Sequence, residues 1–303
     1  MKREETDLNE LTVAVANCGP RIRARVYAAL AGLIAGKADK IAKSESGRWD
    51  LNVVPSTHPD ITQAQQHIES TVSHFFKKTA AKLAAAVQTH EKLVKMGLSP
   101  QALIAALPPI QWDELVPDIF GDLHTIARTS AGRAIASLDV TNEKMLSDVN
   151  DVAAKWAQDR AAELVGMKRL ANGKLVQNPE STWNITERTR NDLRQIIAAA
   201  FEKKTSMSEL ADAIQNADTF SDQRAHLIAV TETSRAANRG NLQGWKATSQ
   251  VKAVDVVCSA DHKDDENCDC SDMADNGPYP IDEAPDLPIH PGCQCSLIVA
   301  ELT

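Results

Sequence analysis

The sequence predicts a mainly α-helical protein with a small C-terminal β-sheet, an α+β fold in two parts. Apolar residues recur every three or four positions through most of the chain, which is the spacing of one helix face. Aromatic residues make up only 4% of the 303 residues while alanine is plentiful, which indicates helices that pack through small side chains. A short β-branched segment, Val251–Val257, is typical of a strand. We expect an N-terminal helical region over residues 1–165 and a second domain over residues 166–303.

The first predicted helix covers residues 20–43 and is basic. Its apolar residues recur at helical spacing, and its cations make it a candidate DNA contact: Arg21, Arg23, Arg25, Lys37, Lys40 and Lys43. The alternative is a solvated face opposite a core stripe, which is the commoner role of such a pattern. Longer helices are predicted over residues 59–96, 118–138 and 141–165, with a proline-broken stretch before the second of them.

The second domain begins with a predicted hairpin over residues 168–178, because apolar residues flank the turn dipeptide Asn172-Gly173. We expect this hairpin to join one small sheet with Val251–Val257 and the last strand, residues 296–299. Between them the sequence predicts three helices, which begin after Thr186, after Ser206 or Ser208, and after Ser221.

The last of these helices carries a mixed stripe of polar and apolar residues at spacings of three and four. The stripe is Arg224, Ile228, Thr231, Arg235, Asn238, Leu242 and Trp245. A functional site is one interpretation. The other, which we favour because no catalytic partner set converges there, is that these side chains tie the helix to neighbouring loops by hydrogen bonds. We therefore predict no catalytic residue.

Five of the six cysteines lie in the last fifty residues, and they include two Cys-x-Cys pairs. Residues two apart in an extended strand point to the same face, so each pair could direct two sulfurs to one point. Three interpretations stay open: a structural zinc site, a disulfide, and reduced packed thiols. The candidate metal ligands are Cys268, Cys270, His290, Cys293 and Cys295.

Charge limits the function classes. The net charge of −8 argues against a freestanding non-specific DNA-binding protein, which would be basic. Residues 255–286 hold nine Asp and two Glu against one Lys, so the rest of the chain is close to neutral. No apolar run is long enough to span a bilayer, and the first residues lack the apolar stretch of a signal peptide. We expect synthesis in the cytoplasm and no membrane partner.

A series of motifs in the C-terminal seventy residues resembles the phage Mu F-like minor head (head morphogenesis) proteins. The elements occur in this order: Thr231-Glu232-Thr233, Asn238, Gly240, Trp245-Lys246, an apolar strand, Tyr279-Pro280-Ile281-Asp282, and the segment from His290-Pro291-Gly292-Cys293 to Ile298. Two positions depart from the family pattern. The first cysteine pair is Cys-x-Cys where members more often have Cys-x-x-Cys, and Gln294 stands where a basic residue is common.

The resemblance implies a minor structural protein of a tailed-phage or prophage head, which acts in capsid assembly near the portal. Its implied partners are the portal protein, capsid or scaffold proteins, and packaged genomic DNA, and its implied location is the virion. The motif residues Arg224, Thr231, Glu232, Asn238, Gly240 and Trp245 would then be structural. The rival hypothesis is a phage-associated enzyme, a nuclease or toxin-type effector, with a zinc-stabilised C-terminal module. We expect no appended effector domain, because eight residues follow Cys295.

Overall fold

The computed structural model describes residues 58–140, 142–181, 184–259 and 269–303. The fold is mainly α-helical with a small antiparallel sheet near the C-terminus, so the predicted fold class is confirmed. The predicted basic helix over residues 20–43, with its six candidate DNA contacts, lies outside the described residues. Cys268 lies outside them as well.

Nine α-helices occur in the described part of the chain. They are α1 (Pro59–Thr89), α2 (Glu91–Lys95), α3 (Pro100–Ala106), α4 (Val116–Ala136), α5 (Glu143–Leu164), α6 (Ile185–Lys203), α7 (Met207–Gln215), α8 (Asp222–Thr248) and α9 (Cys270–Asn276). Short 3₁₀ turns span Trp112–Leu115, Asp218–Phe220 and Ile281–Glu283. The sequence did not predict α9, because its seven residues are too few for a periodic pattern.

Most predicted helix ends agree with the structure, and two differ. The helix expected over residues 59–96 ends at Thr89 and resumes as α2, which Gly97 closes in a left-handed conformation with φ of 95°. The cap of α6 is Asn184 rather than Thr186. Asn184 is extended and its side chain accepts a hydrogen bond from the backbone N–H of Glu187 at 3.1 Å.

Two separate sheets replace the single sheet that the sequence predicted. Strands β1 (Met167–Arg169) and β2 (Leu175–Gln177) form an isolated hairpin. The other sheet has the order β4-β3-β5, with β3 (Val251–Val257) between β4 (Tyr279–Pro280) and β5 (Ser296–Leu302), and all neighbours are antiparallel. The hairpin prediction itself is correct, but β1 and β2 pair over only three residues each and, among the described strands, pair only with each other.

The chain divides into two compact units that are not contiguous in sequence. The described residues of the C-terminal unit are 58–65, 123–140, 142–157, 230–259 and 269–303. Those of the second unit, here called the helical unit, are 66–122, 158–181 and 184–229. Each unit is described by itself below.

In the C-terminal unit, α4 and α8 approach closely because α8 has glycines where they meet. A Cβ atom added at Gly244 would lie 2.5 Å from the carbonyl oxygen of Ala131, and one at Gly240 would overlap the carbonyl of Ala127. The other side of α8 contributes to a core that includes Trp245, Leu242, strands β3 and β5, and four cysteines.

The helical unit has a core of aliphatic and aromatic side chains. Phe76 is fully buried, and its ring meets Phe220 edge-on with 6.0 Å between centroids. Ile197, Leu210 and Ile214 are likewise buried, on α6 and α7. This unit also buries the guanidinium of Arg224, which stacks 5.2 Å above the centre of the Phe76 ring.

Candidate metal centre

Four cysteines from three elements are buried in one cluster of the C-terminal unit. Cys258 follows β3, Cys270 is the first residue of α9, and Cys293 and Cys295 precede β5. None is more than 3% exposed, and all four are free thiols. Apolar side chains from β3 and β5, together with Trp245 on α8, enclose them. We call these four residues the cysteine cluster.

The segment His290-Pro291-Gly292-Cys293 forms a β-turn that brings two possible ligands to the cluster. The backbone N–H of Cys293 donates to the carbonyl of His290 at 3.2 Å. Proline sits at the second position of the turn, and glycine at the third position has φ of 79°. This is the residue pattern of a type II turn, which requires a positive φ at its third position. The sequence therefore determines this turn locally.

The donor atoms of Cys270, His290 and Cys293 lie within 4.8 Å of one another, an arrangement that can hold a metal ion. The Sγ atoms of Cys270 and Cys293 are 3.5 Å apart, and Cys270 Sγ is 3.9 Å from His290 Nε2. A tetrahedral zinc ion with Zn–S bonds of about 2.3 Å would separate its sulfurs by roughly 3.8 Å. The observed spacings are close to that value.

Cys295 contacts the other three members of the cysteine cluster. Hydrogen bonds from the thiols of Cys258, Cys270 and Cys293 lower the pKa of Cys295 below its ordinary value, against the effect of burial. The pKa of Cys270 is raised, because its thiol donates to Cys293 and Cys295 and is partly desolvated. A cation bound among these sulfurs would favour their ionisation.

Two polar side chains of α8 hold the segment that carries Cys293 and Cys295. The hydroxyl of Thr231 accepts a hydrogen bond from the backbone N–H of Gly292 at 2.9 Å. The side-chain amide of Asn238 donates to the carbonyl of Cys295 and accepts from the N–H of Leu297, both at 2.9 Å. Asn238 therefore pairs with the chain at the start of β5 as a neighbouring strand would. These are helix-to-loop bonds of the kind that the structural interpretation of the stripe expects.

The remaining motif residues on α8 are also in structural positions. Gly240 lies against α4, and Trp245 is buried in the core that encloses the cysteine cluster. Glu232 is 2% exposed, with one carboxylate oxygen 3.8 Å from Nε of Arg235. The ammonium of Lys246 lies 3.1 Å from the carboxylate of Asp282. This ion pair connects the Trp245-Lys246 motif to the motif that ends at Asp282.

Arg224, at the other end of the stripe, belongs to the helical unit. One of its nitrogens, Nη1, donates to the hydroxyls of Thr189 and Thr219 at 2.8 and 2.6 Å. The other, Nη2, donates to the carbonyl of Ile185 at 2.9 Å. Burial lowers the pKa of Arg224 to about 10, so the side chain stays charged at neutral pH. These contacts of Arg224 all lie within the helical unit.

Sequence reasoning identified Cys270, His290, Cys293 and Cys295 as candidate ligands, and all four lie in or beside the cluster. It did not select Cys258, because this cysteine belongs to no Cys-x-Cys pair. The missed signal was its position directly after the apolar strand β3, whose antiparallel partner β5 begins directly after Cys295.

Comparison with family models, with curated proteins and with solved structures gives no match. Among the helices that the structure describes, none combines the length and the hydropathy that a bilayer crossing requires.

Proposed function

We propose that this protein is a minor structural protein of a tailed-phage or prophage head, acting in head morphogenesis near the portal. One observation supports it above the others. The motif elements that resemble the Mu F-like proteins are far apart in sequence, yet they bond to each other: Thr231 to Gly292, Asn238 to Cys295 and Leu297, and Lys246 to Asp282. The residues that carry the resemblance therefore hold one part of the fold together, which is the role expected of them in a structural protein.

The test of this proposal is the composition of purified particles. Mass spectrometry of proheads and mature heads should detect the protein in low copy beside the portal and capsid proteins. The Asn238→Leu variant, which loses the bonds to Cys295 and Leu297, should be depleted from particles. Gln243→Leu on the same helix is the matched control, because its buried amide has no partner among the described residues. Complete absence of the wild-type protein from both kinds of particle would overturn the proposal.

The proposed partners are the portal protein, capsid or scaffold proteins, and the genome. For DNA, we expect weak binding by the full chain that falls steeply with salt, because phosphate contacts release counterions. Replacing Arg21, Arg23, Arg25, Lys37, Lys40 and Lys43 with Gln should abolish it in a filter-binding assay. Tight binding that persists at high salt would contradict this part of the proposal.

The proposed cofactor is one structural zinc ion at the cysteine cluster. Zinc is favoured because thiolate and imidazole donors suit it and because the chain is made in a reducing cytoplasm. We expect about one zinc per chain after purification with a reductant. Replacing Cys293 and Cys295 together with Ser should expose the tail, residues 251–303, to proteolysis and leave the N-terminal helical region folded. A metal-free protein whose tail thiols are free and whose tail resists protease would contradict it.

A further inference from the structure

We propose that the zinc ligands are the four thiolates of Cys258, Cys270, Cys293 and Cys295, and that His290 lies beside the metal without binding it. The inference rests on the zinc ion of the proposed function and names its ligands. It adds Cys258, which the sequence did not select, and it leaves out two candidates, His290 and Cys268, of which Cys268 lies outside the described residues. It is independent of the role in the phage head.

The strand register places Cys258 opposite Cys295. In the antiparallel pair of β3 and β5, Val257 is the partner of Ser296. One step further along the pair, Cys258 therefore faces Cys295. Opposite residues in such a pair have Cβ atoms about 4.5–5.5 Å apart, which suits two ligands of one ion. The contact is direct, since the Cys258 thiol is hydrogen-bonded to Cys295.

The other two sulfurs approach Cys295 from different elements. Cys270, at the start of α9, and Cys293, at the end of the His290–Cys293 turn, both contact Cys295 and lie 3.5 Å from each other. Three elements thus converge on Cys295: the end of β3, the start of α9, and the turn. Four convergent sulfurs fill the four positions of a structural zinc site.

His290 occupies the rim of the cluster rather than its interior. The residue is only partly buried, whereas each cysteine of the cluster is at most 3% exposed. Its Nδ1 lies 3.0 Å from the carbonyl oxygen of Pro291, within the same turn. Because four buried sulfurs fill a tetrahedral site, the half-buried His290 ring is left beside the metal, where it can shield it.

Backbone amides support the thiolates. The N–H of Ser259 is hydrogen-bonded to the sulfur of Cys295, and the N–H of Cys295 to that of Cys293. When zinc binds, the cysteine thiols release their protons to the solvent, and the Zn(Cys)₄ group carries a net charge of −2. Hydrogen bonds from outer groups of this kind orient ligands and offset their charge. Because protons compete with zinc for the sulfurs, zinc affinity should fall as pH decreases.

The experiment measures zinc content and zinc affinity of the full-length chain in single variants. Cys258→Ser, Cys270→Ser, Cys293→Ser and Cys295→Ser should each weaken binding by more than the roughly 10–100-fold that loss of an outer partner costs. His290→Gln should stay within that range. Cys18→Ser and Cys268→Ser are the matched controls, and both should keep the wild-type zinc content. Zinc loss in His290→Gln or Cys268→Ser, with retention in Cys258→Ser, would overturn the ligand set.

A second measurement needs no variant, so a misfolded mutant cannot leave the question open. Cobalt exchanged into the wild-type site should give the sulfur-to-metal charge-transfer intensity and visible bands of four thiolates. A spectrum of three thiolates and one nitrogen would reject our ligand set and leave the proposed zinc site intact. A wild-type chain that binds neither zinc nor cobalt would reject the zinc site itself, without bearing on the phage-head role.

Discussion

The two ends of helix α8 use polar side chains in different ways. Near its start, in the helical unit, Arg224 donates to two threonine hydroxyls and a helix carbonyl. Towards its end, in the C-terminal unit, Asn238 bonds to the backbone of an irregular segment at the start of β5. Both side chains are buried, but one is a cation among neutral groups and the other a neutral amide that replaces a strand partner.

The difference follows from what each side chain contacts. The carbonyl of Ile185 also accepts a hydrogen bond from the Thr189 hydroxyl, so it keeps a partner without Arg224. The N–H of Leu297 and the carbonyl of Cys295, by contrast, are buried groups that Asn238 satisfies. An unsatisfied buried group costs about 1–3 kcal/mol, while removing a buried charge also removes its desolvation cost. We therefore expect the C-terminal end of α8 to be the more sensitive.

The largest expected effect is that of Asn238→Leu. It leaves two buried backbone groups without their partner, so the free energy of unfolding should fall by about 2–4 kcal/mol. Chemical denaturation measures this free energy of unfolding. Gln243→Leu is the control, and it should be neutral or stabilising, because no described group bonds to the Gln243 amide. Equal losses in both variants would mean that burial alone, and not the strand-like pairing, accounts for the effect.

Arg224→Met should cost less, about 2 kcal/mol, since the loss of hydrogen bonds is partly offset by the recovered desolvation of the cation. The same denaturation assay provides the comparison. Arg188→Met, at a solvent-exposed arginine, should change stability by less than about 0.5 kcal/mol. A larger loss for Arg224→Met than for Asn238→Leu would reverse the proposed contrast between the two ends of α8.

Gly240→Ala tests the close approach of α4 and α8. The added methyl group would overlap the Ala127 carbonyl, and overpacking of this kind costs about 1–3 kcal/mol, against about 1 kcal/mol gained in helix propensity. We expect a net loss of up to about 2 kcal/mol in the free energy of unfolding, measured by thermal unfolding. Gly132→Ala in α4 has open space around it and should be stabilising. Stabilisation by both substitutions would show that the helices have room to separate.

The smallest effect should come from Ser221→Ala, at the cap of α8. The Ser221 hydroxyl accepts from the N–H of Arg224 at 3.1 Å, and loss of such a cap costs about 1 kcal/mol. Ser208→Ala, early in α7, should change stability by less than about 0.5 kcal/mol. Circular dichroism during thermal unfolding can distinguish the two values. An unchanged melting curve for Ser221→Ala would indicate that tertiary packing alone sets this helix end.

Local sequence signals predicted the helices of nine residues or more, the β1–β2 hairpin and strand β3, because spacing, caps and turn dipeptides act within a few residues. The type II turn at His290–Cys293 is likewise a local consequence of Pro291 and Gly292. Sheet membership was not predictable, since it depends on which strands meet in three dimensions. Strand β4 was missed because two residues carry no pattern. Cys258 was missed for a related reason, as its place in the cluster depends on the register of β3 with β5.

The register of β3 with β5, more than the spacing of the cysteines, would define the proposed centre in other chains. Eleven residues separate Cys258 from Cys270, and the paired strands, not that connection, bring Cys258 to Cys295. The closure cost of a loop rises by only about 0.6 kcal/mol when its length doubles, so the number of residues between Cys258 and Cys270 is under weak constraint. Insertions could accumulate there without loss of the centre, whereas a one-residue slip of β3 against β5 would turn Cys258 away. A search for such centres should therefore fix the strand pairing and leave the cysteine spacing free.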